Sequence, residues 1–349
     1  MTPSLTANAD ELLGIARAVG ATGKGVFQAV ADLDDLQSEF ALLRSMAETA
    51  RRPLSITTLQ RPGQPVDAYR QLLALVDAAN RDGVEMRSQV AARPVGLLLS
   101  LQGTVHPLLM SATYQQLKGL PLDQLVAELQ RPEVKARVLE ELAAPGANLL
   151  ERMTPAFELG TPPRYAQDPA DTIDLARAYD VLLQDGGTGV VYIPVMNYEQ
   201  GDMAAVREML VHPRSVPGLG DAGAHCTMIC DASFATYLLQ YWTREAPEDQ
   251  RLDVEWVVQQ QAAATAATVG LLDRGVLAPG YRADINLIDL DRVGISTTEM
   301  LHDLPAGGKR LVQRAEGYRA TIVAGEVIRL DGQDTGALPG HLVRGAQHL

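Results

Sequence analysis

The chain has 349 residues, of which 46% are hydrophobic and 21% are charged, a composition typical of a globular protein and not of a disordered one. Its 30 basic residues against 43 acidic ones give a net charge of −13, which argues against nucleic acid or an anionic membrane as a binding partner. The sequence has neither the run of ~20 apolar residues that a membrane-spanning helix needs nor, at its start, the basic flank and apolar core of a signal peptide.

The first ninety residues alternate between helical and extended patterns. Apolar residues at helical spacing follow Asn8 or Asp10, either of which suits a helix N-cap. The runs between the helices are β-branched and short, as in buried strands. These patterns predict helices over 8–19, 33–50 and 66–83, and strands over 23–30, 52–60 and 84–93.

A helical and loop region follows at 106–186. It is too long for a minimal connection between a strand and a helix, so we expect it to be an insertion that covers a substrate site. Beyond it the patterns predict a strand over 189–196 and helices over 201–210, 233–244 and 252–271, with the segment VPGLGDAGAH, 216–225, between the first two of these helices. Strands that alternate with helices in this way imply a parallel sheet with helices packed outside it.

After about residue 275 the pattern changes to short alternating runs around glycine turns. The segments 275–293 and 318–332 read as strands of a small, separate β layer. The two cysteines, Cys226 and Cys230, are four residues apart on a predicted helix, which suits two buried thiols better than a disulfide and favours a reducing cytoplasm.

Several common catalytic motifs are absent. The six histidines form no HxH or HExxH motif and no pair three or four residues apart. A metal site from a single helix or strand is therefore not expected. GxSxG, GxGxxG and P-loop patterns are also missing, so serine-hydrolase, dinucleotide and nucleotide-phosphate chemistry has no local support.

The segment GLGDAGAH, residues 218–225, is the strongest candidate for chemistry. Its glycines permit tight turns and leave the carboxylate of Asp221 little side-chain cover. If VPGLG is the last strand of a parallel barrel, Asp221 lies at its C-terminal end, where such enzymes place their catalytic groups. A carboxylate there can bind a metal and accept a proton from metal-bound water. The alternative is that Asp221 caps the helix after His225.

Two other strand ends carry polar side chains. Arg93 ends one predicted strand, and its guanidinium could bind a substrate carboxylate in a bidentate way; the alternative is a surface salt bridge. Asn197 and Tyr198 follow the predicted strand 189–196 and could hydrogen-bond a ligand. A turn role for Asn197 is the competing interpretation.

Six segments are informative when they are read together. Four are GKGVFQAVADL, RRPLSITTLQRPG, MRSQVAARPVGLLLSL and MLVHPRSVPGLGDAGAH, and the two more specific ones are APGYRADINLIDLD and TGALPGHLVRG. Together they resemble the C-terminal two-thirds of the N-acyl-D-amino-acid deacylase (D-aminoacylase-like) family of metal-dependent amidohydrolases, and the resemblance covers nearly the whole chain.

The resemblance implies an α/β fold, namely a distorted (β/α)8 TIM-like barrel with a β-sandwich, and zinc-dependent hydrolysis of the amide of small N-acyl (D-)amino acids or related C–N substrates. It makes Asp221 the counterpart of the aspartate that binds metal and transfers the proton. Arg93, Asn197, Tyr198 and His225 are then candidates on the substrate side.

The chain also departs from the family. The HxH motif of the first barrel strand is missing, and Gln28 and Gln60 stand nearest to the places where the family can present further metal-binding histidines. Neither amide is a good zinc ligand. We therefore expect residues 1–274 to form an incomplete barrel with a helical insertion near 106–186, and residues 275–349 to form the C-terminal portion of the β-sandwich.

An incomplete barrel would expose strand edges, which proteins normally avoid. We therefore expect an N-terminally truncated form of a longer enzyme, or a chain completed by self-association or by a second polypeptide. The alternative function is a catalytically inactive fragment or subunit that binds or assembles with a partner chain.

Overall fold

The computed structural model of the protein describes residues 7–153, 155–220 and 225–347. The helices are α1 (Ala9–Thr22), α2 (Leu36–Ala50), α3 (Ala68–Arg81), α4 (Ala112–Leu117), α5 (Leu122–Leu129), α6 (Pro132–Leu142), α7 (Leu175–Gly187), α8 (Ala204–Val211), α9 (Phe234–Gln240), α10 (Val254–Gln259) and α11 (Thr265–Thr268). The strands are β1 (Phe27–Ala29), β2 (Leu54–Thr57), β3 (Met86–Val90), β4 (Val95–Leu99), β5 (Phe157–Glu158), β6 (Val191–Met196), β7 (Ser215–Pro217), β8 (Ile285–Ile288), β9 (Gly294–Leu304), β10 (Gly308–Glu316), β11 (Tyr318–Val323), β12 (Glu326–Leu330) and β13 (Gln333–Asp334). No helix among these is long and apolar enough to span a membrane.

The predicted parallel sheet is present, in the order β1–β2–β3–β7. Leu54 of β2 lies opposite Phe27 on one side and Met86 on the other, and all neighbouring strands are parallel. The helices that follow or precede these strands cover one face, where Leu54, Ile56 and Met86 pack in a common core with residues of α1, α2 and α3. Asn8 is the N-cap of α1, since its side chain accepts a hydrogen bond from the amide of Glu11.

The opposite face of this sheet is polar. Side chains alternate between the two faces of a strand, so the neighbours of the helix-facing residues point to the other side. We call this side the inner face; it carries Gln28, Ser55, Thr57, Arg87 and Gln89.

The strand predicted at 189–196 is present as β6, but the expectation that it belongs to the parallel sheet is wrong. It pairs antiparallel with β4 and β5 in a separate three-stranded sheet, in the order β4–β6–β5. Helices α4 to α7 pack on this sheet and share one hydrophobic core with Leu99, Val191 and Ile193. Strand β4, which precedes residue 106, thus pairs with β6 and not with the parallel sheet, and the bounds of the insertion stay a prediction.

The C-terminal region is antiparallel. Strands β8, β11, β12 and β13 form one sheet, in the order β13–β12–β11–β8, as the alternating patterns predict. The long hairpin β9–β10 was not predicted. Its residues Ile295 and Leu311 share a core with Trp242, so the hairpin packs against the α9 region. The division of the chain at residue 274 stays a prediction.

Candidate active site at the carboxyl end of the parallel sheet

Asp221 lies outside the described residues, so the structure informs on the two segments that flank it. Upstream, β7 ends at Pro217, and the amide of Gly218 donates to the carbonyl oxygen of Val90 at 2.9 Å. The predicted last strand of the parallel sheet is thus confirmed, although it is shorter than expected. The roles of Asp221 in proton transfer and metal binding stay predictions.

Downstream, residues 225–230 form a turn and an irregular stretch, followed by a short 3-10 helix at Asp231–Ser233, so the expected helical spacing of Cys226 and Cys230 is wrong. The carbonyl oxygen of His225 accepts hydrogen bonds from the amides of Met228 and Ile229, and His225 has a φ of 49°. Helix α9 begins only at Phe234 and has Ser233 as its N-cap. Asp221 lies outside the described residues, so the alternative in which it is a helix cap stays a prediction.

The downstream segment is fixed on two sides. The amide of Leu98 in β4 donates to the carbonyl oxygen of Met228 at 2.8 Å, and the amide of Leu311 in β10 donates to that of Cys226 at 2.6 Å. Both cysteines are free thiols, Cys230 buried and Cys226 partly buried. His225 itself is exposed, so its side chain remains available to a ligand.

Arg93 is not a surface residue, so the surface salt bridge considered for it is wrong. Its side chain is 1% exposed and lies 3.3 Å from a carboxylate oxygen of Asp231. The guanidinium also donates to the carbonyl oxygen of Cys230 at 3.0 Å. It lies over the ring of Tyr165 at 3.7 Å and that of Phe234 at 4.5 Å. A direct contact with substrate stays a prediction, and the contacts described are all with the protein.

Asn197 and Tyr198 are also turned into the protein. Asn197 is fully buried, and its side-chain oxygen accepts from the amide of Gln60 at 2.8 Å. The hydroxyl of Tyr198 donates to the carbonyl oxygen of Gln167, and burial raises the pKa of Tyr198 to about 12. Their proposed contacts with a ligand stay predictions.

The polar side-chain atoms of Gln60 are hydrogen-bonded to backbone groups of nearby segments. Its side-chain nitrogen donates to the carbonyl oxygen of Val66 at 3.0 Å, and its side-chain oxygen accepts from the amide of Glu199 at 3.2 Å. Together with Asn197, Gln60 joins the end of β2 to the end of β6. This is a structural connection between the parallel sheet and the insertion.

The inner face adds a residue that sequence reasoning missed. Gln89 of β3 lies across the end of β7, against Gly218, and its side-chain oxygen is buried and has no hydrogen-bond partner among the described residues. On the neighbouring strands, the side-chain nitrogen of Gln28 donates to the hydroxyl of Thr57 at 3.0 Å. The alternation of β3 and its position beside β7 would have pointed to Gln89.

A cavity of about 370 Å³ opens beside the end of β7. Its walls come from the strand end at Gly218 and Gly220, from α9 and from the C-terminal sheet, including Tyr318. Most of the lining is apolar, with Phe234, Leu238 and Leu239 on one side. A pocket of this size and character can accommodate a small organic group.

The described residues do not fit the zinc that the resemblance implies. Among residues 7–153, 155–220 and 225–347, no group of three or more His, Cys, Asp or Glu side chains could hold a metal ion. The inner face presents amides, hydroxyls and the guanidinium of Arg87. Zinc in proteins is bound by thiolates, imidazoles and carboxylates, and a guanidinium has no lone pair to offer it.

Comparisons with known proteins point to one family and one fold. A solved D-aminoacylase, from work on the role of its binuclear metal centre, superposes with a TM-score of 0.57 at 17% identity. A D-aminoacylase crystal structure described as defining a novel subset of amidohydrolases gives 0.56 at 17%, and a D-aminoacylase mutant in complex with copper chloride gives 0.56 at 16%.

Each superposition covers 97% of this chain and 59% of the other. The likeness identifies the fold, a TIM-barrel-like domain with a β-sandwich. This chain spans 59% of the length of the D-aminoacylase. No curated protein gives a significant sequence match. The profile described as the amidohydrolase family matches residues 2–329. The chain therefore belongs to the amidohydrolase family.

Proposed function

We propose that this chain carries the proton-transferring carboxylate of an amidohydrolase that cleaves the amide of N-acyl (D-)amino acids or related C–N substrates. The observation that carries the proposal is the end of β7, the last parallel strand, at Pro217, four residues before Asp221. Catalytic groups of barrel enzymes lie at this end of the strands. Family membership and the D-aminoacylase-like fold support the reaction class.

In this proposal Asp221 is the general base and then the general acid. Its carboxylate accepts a proton from the attacking water, whose oxygen bonds to the acyl carbon. The same proton passes to the amide nitrogen as the C–N bond breaks, which leaves a carboxylic acid and a free amine; the acid then ionises, and its proton is taken up by the amine or by solvent. His225, Asn197 and Tyr198 are the proposed substrate-side residues, and the exposure of His225 supports its part.

Zinc is the proposed cofactor, and Asp221 is its one proposed ligand in this chain. When bound, such a metal lowers the pKa of water and polarises the substrate carbonyl. The described residues contain no group of three or more His, Cys, Asp or Glu side chains that could hold it. The remaining ligands would then come from a second copy of the chain or from a completing polypeptide.

A second candidate function is that of a catalytically inactive subunit that assembles with a partner. Strand β7 pairs with β3 alone within the described residues, and β1 pairs with β2 alone. Both edges of a parallel sheet are then without strand partners, an arrangement that proteins normally cover. This observation favours assembly with another chain.

The two candidates are separated by metal content, activity and size of the purified chain. The first predicts stoichiometric zinc and release of free amine from N-acetyl-D-amino acids. The second predicts neither zinc nor turnover, together with a stable complex in light scattering. A monomeric chain with no zinc and no turnover would contradict both.

A further inference from the structure

The two segments that flank residues 221–224 are bound to the same short stretch of chain. Upstream, Gly218 is hydrogen-bonded to Val90, the last residue of β3. Downstream, Cys230 and Asp231 are hydrogen-bonded to Arg93, three residues beyond Val90. Residues 90–93 therefore hold the described residues on both sides of 221–224. We call these described residues, 218–220 and 225–231, the Asp221 loop.

Residues 90–93 also contact α9 and the residues that follow it. The indole nitrogen of Trp242 donates to the carbonyl oxygen of Ala92 at 2.7 Å, and Trp242 is fully buried. Phe234, the first residue of α9, packs on the guanidinium of Arg93. Residues 90–93 thus contact Gly218 before residues 221–224, Cys230, Asp231 and Phe234 after them, and Trp242 beyond α9.

Arg93 is the charged member of this stretch, and its burial makes its partners important. Removing a guanidinium from water is costly unless other groups replace its hydration. Here the carboxylate of Asp231 and the carbonyl oxygen of Cys230 accept from Nη2, and the rings of Tyr165 and Phe234 lie against the guanidinium, while Nε has no hydrogen-bond partner among the described residues. Three of these four partners belong to the loop or to the start of α9. The guanidinium and the loop therefore fix each other's positions.

We propose that Arg93 is a positioning residue that holds the downstream end of the Asp221 loop and does not contact the substrate. The role of Asp221 in this statement rests on the proposed function. The constraint on the loop does not, because it follows from contacts of Arg93 with residues 230, 231 and 234. Arg93 acts on the reaction only through the position of the loop.

The chain contains its own probe of this loop. Cys226 and Cys230 are the only cysteines of the sequence, and both lie in the Asp221 loop. Cys230 is buried, its sulfur lies 3.9 Å from the carbonyl oxygen of Leu311, and burial raises its pKa to about 11. Its reaction with a thiol reagent therefore requires the loop to open.

The test measures the rate at which 5,5′-dithiobis(2-nitrobenzoic acid) labels Cys230 in a Cys226→Ser background, without denaturant. Arg93→Met removes the charge and both hydrogen bonds but keeps most of the side-chain volume. We expect it to label at least roughly tenfold faster. The matched control is Arg70→Met, since Arg70 also pairs with a carboxylate and lies near a tyrosine ring, but is exposed and pairs with Glu208 of α8 instead of the loop. It should label at the parent rate.

Equal labelling rates in the Arg93→Met variant and the parent would overturn the proposal. If Arg93→Met does not fold, Arg93→Lys takes its place, because lysine keeps the charge and loses the planar guanidinium that lies over the rings of Tyr165 and Phe234. A severalfold acceleration is then expected, and the parent rate would again overturn the proposal.

Steady-state kinetics give the second readout. A displaced loop lowers kcat and leaves KM within about twofold, whereas a lost substrate contact raises KM. A rise in KM at constant kcat would show direct substrate binding and overturn the positioning role. If the parent chain shows no turnover, the proposed function fails, and the labelling rates still decide whether Arg93 holds the loop.

Discussion

Gln89 occupies the space that a side chain at position 218 would need. A Cβ atom on Gly218 would lie 2.4 Å from the side-chain nitrogen of Gln89 and 2.6 Å from its Cγ. The Cγ is close to the backbone of β3, so a rotation of the terminal amide does not remove the overlap. The first glycine of GLGDAGAH is thus explained by packing against a neighbouring strand.

The Gly218→Ala variant is expected to be destabilised by about 1–3 kcal/mol, the usual cost of overpacking a site. Gln89→Ala should restore most of this loss when it is combined with Gly218→Ala. Urea unfolding of the parent, both single variants and the double variant measures the coupling. Gly119→Ala is the control, because a Cβ there meets no atom within 4 Å. Additive effects within about 0.5 kcal/mol would show that the two positions do not interact.

Asn197 is expected to matter for stability whether or not it touches a ligand. Asn197→Ala leaves the amide of Gln60 buried without an acceptor, which costs about 1–3 kcal/mol. The φ of 65° at position 197 adds strain for alanine, which lacks the tolerance of asparagine for this region. The free energy of unfolding in urea checks this, with Asn286→Ala at an exposed strand position as the control. Equal stability of the two variants would contradict the structural role.

His106 is expected to make stability fall in mild acid. Burial, and then the charge of Lys309, lowers its pKa from 6.5 to about 4, and its ring accepts from the amide of Leu108 while bonded to the hydroxyl of Tyr114. Between pH 6.5 and 4 the unfolded chain binds a proton at this site that the folded chain does not. Stability therefore rises with pH across this window, and roughly 3 kcal/mol is lost on acidification from 6.5 to 4.

Unfolding free energies at several pH values test this, with His106→Asn as the comparison. The variant should lack this part of the slope between pH 6.5 and 4. Carboxylates with lowered pKa values change the stability at lower pH than His106 does. Glu141, which accepts hydrogen bonds from Ser111 and Thr113, has a pKa of about 2. Identical slopes above pH 4.5 in the parent and His106→Asn would contradict the assignment.

Local patterns were enough to predict most of the elements of the parallel sheet. The runs at 52–60 and 84–93 contain β2 and β3, and the helices between them carry an apolar face that packs on the sheet. The pairing of β6 could not be read in the same way. Its run GVVYIPVM is buried on both faces, and such a run fits a parallel or an antiparallel sheet equally well. The hairpin β9–β10 was missed because its strands are rich in polar residues.

The candidate site was predictable only in part. The glycines around Asp221 and the end of a strand before it were visible in the sequence. The environment of Arg93 was not, because Tyr165 and Asp231, its partners, are 72 and 138 residues away in the chain. Because these contacts join residues far apart in the sequence, local patterns could not show that Arg93 is buried.

The central claim is that Asp221 transfers the proton in amide hydrolysis, and the turnover of N-acetyl-D-amino acids by Asp221→Asn tests it most directly. The matched control is Asp249→Asn, at an exposed position with the same change of charge. With zinc supplied to every sample, we expect the control to retain the parent kcat and Asp221→Asn to lose at least roughly a hundredfold, the range of a general base. Parent-like turnover by Asp221→Asn would contradict the claim.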